Sequence, residues 1–154
     1  MELNELFKKG GIYYGLEGNS TGGALESLCF TLAPQKNISR TTLLKAVLER
    51  EALMPTSIGF GIALPHPRNP LIDEPDDQFA ALGFLKQPID WNALDRKPVS
   101  TLILIVSSSA KSHLASLSRI SFLCHDTAFQ KLLNEKAPAN MLLEYIKKAE
   151  EEWK

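Results

Sequence analysis

A layered α/β domain is the fold class this sequence predicts, and three observations carry the prediction. The segment Val99–Val106, VSTLILIV, is β-rich and apolar on both faces, as suits a central strand covered by helices on each side. Leu25, Leu28, Cys29 and Leu32 recur at i, i+3, i+4 and i+7, the stripe of a helix buried along one face. Helical stripes of this kind are interspersed with short apolar strands along the chain, the order expected of helices layered on a sheet. With 154 residues and 44% hydrophobic content, the chain reads as a single domain over residues 1–154, able to bury roughly 70% of its unfolded surface. The pattern leaves strand order open.

Taken in order, Leu3, Leu6 and Phe7 form an apolar cluster before Gly10-Gly11, Ile12-Tyr13-Tyr14 has the composition of a short strand, and Gly18-Asn19-Ser20 is a turn. The Leu25 stripe begins at Thr21 and is stopped by Pro34. Ser39 can cap a second helix with Leu44, Val47 and Leu48 inward and Arg50 near its C-terminal end. Phe79–Lys86 is an apolar strand after an acidic, Pro-containing surface loop, and residues 86–98 form a polar connection carrying Trp91. After the Val99–Val106 strand, His113, Leu117, Ile120 and Cys124 share a helical stripe, which places His113 in the first turn. Thr127 and Gln130 match a capping box for a short helix. Pro138 opens a final helix with Leu142, Tyr145, Ile146, Ala149 and Trp153 inward and Glu150 to Glu152 mostly solvated.

Charge and composition exclude several function classes. Seventeen basic and eighteen acidic residues give a net charge of -1, so no global field draws phosphate backbones or anionic lipid, and nucleic acid is not an expected partner. The N-terminus lacks a signal h-region and the longest apolar run, Leu102 to Val106, is too short to span a bilayer, which predicts a cytoplasmic protein without membrane insertion. Cys29 and Cys124 suggest neither a disulfide framework nor a metal pair, and read as buried small hydrophobes.

The densest local signal is PTSIGFGIALPHPRNP, Pro55 to Pro70. Gly59 and Gly61 permit positive φ or close backbone approach, and Ile62 to Leu64 is a short apolar strand. Pro65 and Pro67 bracket His66, removing two backbone donors and interrupting helix and ladder alike. A histidine held there can keep one ring nitrogen exposed; an ordinary loop histidine is the plain alternative. Metal binding by His66, His113 and His125 lacks a ligand spacing such as HExxH, and Ser57 lacks the GxSxG elbow of a serine hydrolase. Phosphoryl transfer fits better, because a neutral imidazole is nucleophilic near pH 7 and the reaction otherwise needs positioning and charge stabilisation. Arg50, Thr56, Ser57 and the amides around Gly59 and Gly61 are the candidate cation and donors. His113 is a candidate second imidazole whose proximity does not follow from spacing.

The ordered set Arg50-Glu51-Ala52-Leu53, Thr56-Ser57-Ile58-Gly59, Gly61-Ile62-Ala63-Leu64-Pro65-His66, Pro88-Ile89-Asp90-Trp91 and His113-Leu114 resembles the enzyme IIA family of the bacterial phosphoenolpyruvate-dependent phosphotransferase system, in its fructose, mannitol and nitrogen-regulatory branch. The resemblance spans nearly the whole chain. It implies an α/β sandwich with a mixed central sheet flanked by helices on both sides. It also implies that His66 accepts a phosphoryl group from the phosphohistidine of an HPr-like carrier, with His113 donating a hydrogen bond to that group and Arg50 in support. Thr56, Ser57, Gly59 and Gly61 would then line the phosphate, and no cofactor or metal is expected. The implied role is a phosphorylation-dependent regulator of the nitrogen-regulatory type. The alternatives are a sugar-specific component that hands phosphate to a IIB protein and an interaction module that is never phosphorylated. The chain departs from the family pattern at Met54-Pro55, Phe60 and Pro67; Phe60 and Pro67 are therefore expected at the partner-binding surface.

Overall fold

The computed structural model describes residues 1–153. Five strands, β1 (Ile12–Leu16), β2 (Ser57–Gly59), β3 (Ile62–Ala63), β4 (Phe79–Ile89) and β5 (Val99–Val106), form one sheet in the order β1-β4-β5-β3-β2. The sheet is mixed: β1 runs parallel to β4 and β3 parallel to β5, while β4–β5 and β2–β3 are antiparallel. Six helices cover it: α1 (Leu3–Gly10), α2 (Thr21–Thr31), α3 (Arg40–Leu53), α4 (Ala110–Cys124), α5 (Thr127–Asn134) and α6 (Ala139–Glu152). The expected sandwich is thus present, with β4 and β5 at its centre.

The period of two along the central strands builds two cores. Ala80, Leu82 and Phe84 of β4 and Ile103 and Ile105 of β5 pack with Leu3, Leu6 and Phe7 of α1, and with α4, α5 and α6. Phe79, Ala81 and Leu85, with Leu102, Leu104 and Val106, face the opposite way onto α2 and α3. A strand apolar on both faces therefore has a helical layer to serve each. Gly10 lets α1 lie directly on the sheet: a Cβ there would stand 2.0 Å from the Ala80 carbonyl oxygen.

Several local expectations are corrected. The Leu3-Leu6-Phe7 cluster is one face of α1, a helix of only about two turns, so the i, i+3, i+4 pattern is not repeated along it. In α3 the buried residues are Leu43 and Val47, and Leu48 is 36% exposed because it lies beyond that narrow stripe. β4 continues to Ile89, so residues 86–89 are strand rather than connection. Asp126, not Thr127, caps α5 by accepting from the Ala128 amide, and Gln130 instead donates to the Cys124 carbonyl. Trp153 is half-exposed against Phe122, whereas Glu150 is buried, accepting from the Leu3 amide at 2.7 Å and from Arg119 at 2.7 Å. The two chain ends are thereby tied together. Both cysteines are buried, and burial pushes each thiol up to about 12.

Candidate functional site

The site is built on the β2–β3 hairpin at the edge of the sheet. Phe60 and Gly61 have φ of 58° and 73°, the positive values at both turn positions that a type I′ two-residue loop requires. Gly59, at φ 91°, carries the adjoining register shift. Beyond β3 the chain stays pinned on both sides. The Leu64 amide donates to the Thr56 carbonyl at 3.0 Å, and the Pro65 carbonyl accepts from the Ile105 amide at 3.1 Å. Proline ends the strand without loosening it, and the next residue, His66, is delivered to a fixed place.

His66 is 9% exposed, so its ring is set in the floor of a depression rather than displayed on a loop tip. Nδ1 lies 2.8 Å from the Leu64 carbonyl oxygen. A carbonyl only accepts, so Nδ1 carries the proton, and in the neutral ring the lone pair resides on Nε2. Burial lowers the His66 pKa below its ordinary value; the Leu64 carbonyl opposes this and the Arg50 charge adds to it. Among the described residues Nε2 has no hydrogen-bond partner, and the one fully buried, unpartnered polar side-chain atom is Asn4 Oδ1, so Nε2 opens onto the cavity. The result is a neutral imidazole with one nitrogen committed and one available.

α4 brings the second ring. Ser109 caps that helix by accepting from the Ser112 amide at 3.1 Å, and His113 follows in the first turn. The His113 and His66 ring centroids are 4.6 Å apart and tilted by 41°. Burial is the main cause lowering the His113 pKa, followed by the like charges that His66 and Arg50 would present. Both rings are therefore held neutral at pH 7. Arg50, in the last turn of α3, donates to the Met54 carbonyl at 2.8 Å, satisfying a helix-end acceptor and fixing its own guanidinium. Arg50, Thr56, Ser57, Leu64, His66 and Ser121 are among the residues lining a cavity of about 200 Å³. His66 and Arg50 meet in this cavity, and the His113 ring stands 4.6 Å from that of His66 at its side; a neutral imidazole with a second imidazole and an arginine close by can hold and transfer a compact anion.

The other sequence-derived candidates fall into three places. Ser57 lines the His66 cavity, as does Thr56, but both Thr56 donors point to Glu51: its amide at 2.7 Å and its hydroxyl at 2.6 Å. Gly59, Phe60 and Gly61 form the hairpin turn, away from the lining of that cavity; Phe60 is 45% exposed and packs edge-on against His125, with centroids 5.2 Å apart. Pro67 lines a second depression together with His113. Glu51 is the residue that sequence reasoning missed. Its carboxylate also accepts from Trp91 Nε1 at 3.1 Å, so it ties α3, the start of β2 and the loop after β4 into one knot. Its adjacency to Arg50 in the sequence was the available signal. Among the described residues, no cluster of His, Cys, Asp or Glu is placed to hold a metal ion, and no helix is long and apolar enough to cross a membrane.

Comparison with known proteins bears on this arrangement. Residues 5–149 match the family described as the phosphoenolpyruvate-dependent sugar phosphotransferase system, EIIA 2. A nitrogen regulatory protein of Bradyrhizobium diazoefficiens is 28% identical over 144 residues, covering 92% of each chain. The nitrogen regulatory protein IIA-Ntr of Neisseria meningitidis shares the fold with a TM-score of 0.78 at 22% identity, covering 93% of this chain and 97% of that one. The mannitol enzyme IIA of Escherichia coli, solved in complex with phosphorylated enzyme IIB, shares it with a TM-score of 0.68 at 16% identity, covering 89% and 94%. On the match over residues 5–149, this chain belongs to the EIIA 2 family of the phosphoenolpyruvate-dependent sugar phosphotransferase system.

Proposed function

We propose that this chain is a IIA protein of the nitrogen-regulatory type that accepts a phosphoryl group on Nε2 of His66 from an HPr-like carrier in the cytoplasm. The observation that carries the assignment is the 2.8 Å contact from His66 Nδ1 to the Leu64 carbonyl, which leaves Nε2 as the nucleophile. In the transfer the Nε2 lone pair forms a new N–P bond as the P–N bond of the carrier's phosphohistidine breaks, and that electron pair returns to the carrier's imidazole. His66 keeps its Nδ1 proton, so positive charge on the phosphorylated ring rests against the Leu64 carbonyl. Arg50 supplies charge to the incoming phosphoryl oxygens, and neutral His113 donates one ring N–H to them. Ser57 is placed to add a donor, while Thr56 serves through the scaffold, its donors being taken by Glu51.

Phosphorylation adds about -1.5 to -2 charge units at neutral pH, ample to change which partners dock on so small a surface. Similarity to nitrogen regulatory proteins supports the regulatory role. A second reading, onward transfer to a IIB protein, is favoured by the complex known for the mannitol enzyme of the same fold. Incubating the chain with phosphoenolpyruvate, the general phosphotransferase enzyme and an HPr tests the first step. An acid-labile adduct on wild type that disappears in His66→Ala is expected, and an unmodified wild type or a labelled His66→Ala refutes the assignment. Rapid discharge of the adduct to an added IIB protein would favour the second reading.

A further inference from the structure

A depression of about 210 Å³ is lined by Pro67, Arg68, Asn69, Pro70 and Ile105, by Ser107, and by the start of α4 with His113 and Leu114. The phosphoacceptor cavity and this one have no lining residue in common, although His113, which lines this one, is the second histidine of the phosphoacceptor site. Four features of the second depression point to an anionic ligand. Ser107 is 6% exposed, yet its hydroxyl has no hydrogen-bond partner among the described residues. It is also absent from the fully buried unpartnered atoms, so the hydroxyl opens into the depression it lines. Arg68 stands at the rim without an ion pair among the described residues. Finally, the Ser109 cap engages only the Ser112 amide, leaving the Ala110 and Lys111 amides as orphan donors at the positive end of a helix of 15 residues.

Apart from Asn69 and His113, the remaining lining is apolar, from Pro67, Pro70, Ile105, Ala110 and Leu114. That combination does not suit a bare phosphate, which would leave the apolar walls unused. The volume is below the roughly 300–1,000 Å³ of pockets for drug-sized ligands, so the occupant is small. We propose that this depression binds a short-chain aliphatic carboxylate, its carboxylate on Arg68, Ser107 and the α4 amides and its hydrocarbon body against Ile105 and the two prolines. Binding stands independently of the phosphotransfer reading; only its consequence rests on that reading, since the occupant packs on His113, whose ring centroid lies 4.6 Å from that of His66. The site would let a small acid bias the ring that steadies the phosphoryl group.

The test is an NMR titration of the unphosphorylated chain with 3-methylbutanoate, without any carrier, so its outcome is separate from whether His66 is phosphorylated. The expected result is saturable shifts of the Ala110 and Lys111 amides and of the His113 ring. Arg68→Gln and Ser107→Ala should each weaken binding roughly tenfold, the scale of a lost charge-assisted or buried hydrogen bond. Arg68 is exposed and the Ser107 hydroxyl has no partner to lose, so both variants should fold, which unchanged amide spectra outside the depression would verify. Neither 3-methylbutan-1-ol, which keeps the body without the charge, nor acetate or inorganic phosphate, which keep the charge without the body, should reproduce the affinity. Shifts that rise without saturating, equal affinity for any of these three controls, or unaltered binding in Arg68→Gln would overturn the proposal.

Discussion

The two ends of the β2–β3 hairpin are held in opposite ways. At the root, Thr56 is clamped by the Glu51 carboxylate, Leu64 bonds back to Thr56, and Pro65 is fastened to β5, so that His66 has one position and one tautomer. At the tip, Gly59, Phe60 and Gly61 all sit at positive φ, and a phenylalanine occupies a conformation that glycine or asparagine would adopt more cheaply. The cost of a bulky residue there is about 1–3 kcal/mol, and the side chain it positions is 45% exposed. The contrast, on the proposed function, separates two jobs within one hairpin: the root fixes the position of His66, and the tip exposes Phe60.

That division can be broken from either end. The largest effect is expected at His113, the proposed donor to the phosphoryl group. His113→Ala should slow phosphoryl acceptance roughly 100-fold, the scale of losing one donor to developing charge, with thermal stability nearly unchanged; an unaltered rate would remove His113 from the mechanism. Next is the clamp. Glu51→Ala leaves the Thr56 and Trp91 donors unpaired and should cost about 2–3 kcal/mol of stability, with slower transfer as well, whereas Glu51→Gln should recover part of both. A stable, fully active Glu51→Ala would show that the root needs no clamp.

Smaller still is the pH effect. His66 and His113 have lowered pKa values in the fold, so the unfolded chain binds more protons as the pH falls below about 6.5, the ordinary histidine value. Stability should therefore be lost on acidification below that point, and His66→Ala combined with His113→Ala should flatten the slope in a denaturation series measured against pH. Phosphoryl acceptance by wild type should meanwhile persist somewhat below pH 6.5, since the folded rings stay neutral there. At the tip, Phe60→Gly should raise stability by about 1 kcal/mol, relief of the positive φ being partly offset by glycine's greater loss of chain entropy on folding. It should slow transfer only a few-fold, and only at low carrier concentration, as loss of a docking contact would. A defect that persists at saturating carrier would join tip and root into one functional unit.

How much of this was legible in the sequence differs between the same regions. β5 declared itself because Val99–Val106 is apolar on both faces, and the caps Ser39 and the His113 stripe of α4 were readable from short-range spacing alone. The glycines at 59 and 61 announced a turn, but nothing in the residue type announced that Phe60 would share its positive φ. α1 was hidden because eight residues ending in Gly10 scarcely complete two turns. The burial of Glu150 depended on partners, Leu3 and Arg119, far away in the chain. The site divides similarly. His66 stood out by its frame of prolines, while its contact with His113 depends on how α4 is seated over β5, and the Glu51 knot depends on Trp91 arriving from the loop after β4. Short-range chemistry was visible, and convergence across the sheet was not.

The central claim is that the fold selects one nitrogen of one histidine. Phosphorylating wild type through the carrier and locating the phosphoryl group by ³¹P–¹⁵N correlation in chain labelled at histidine tests it directly. The account predicts a phosphoryl group on Nε2 of His66, with Nδ1 still protonated; phosphate on Nδ1, or on His113, would contradict it.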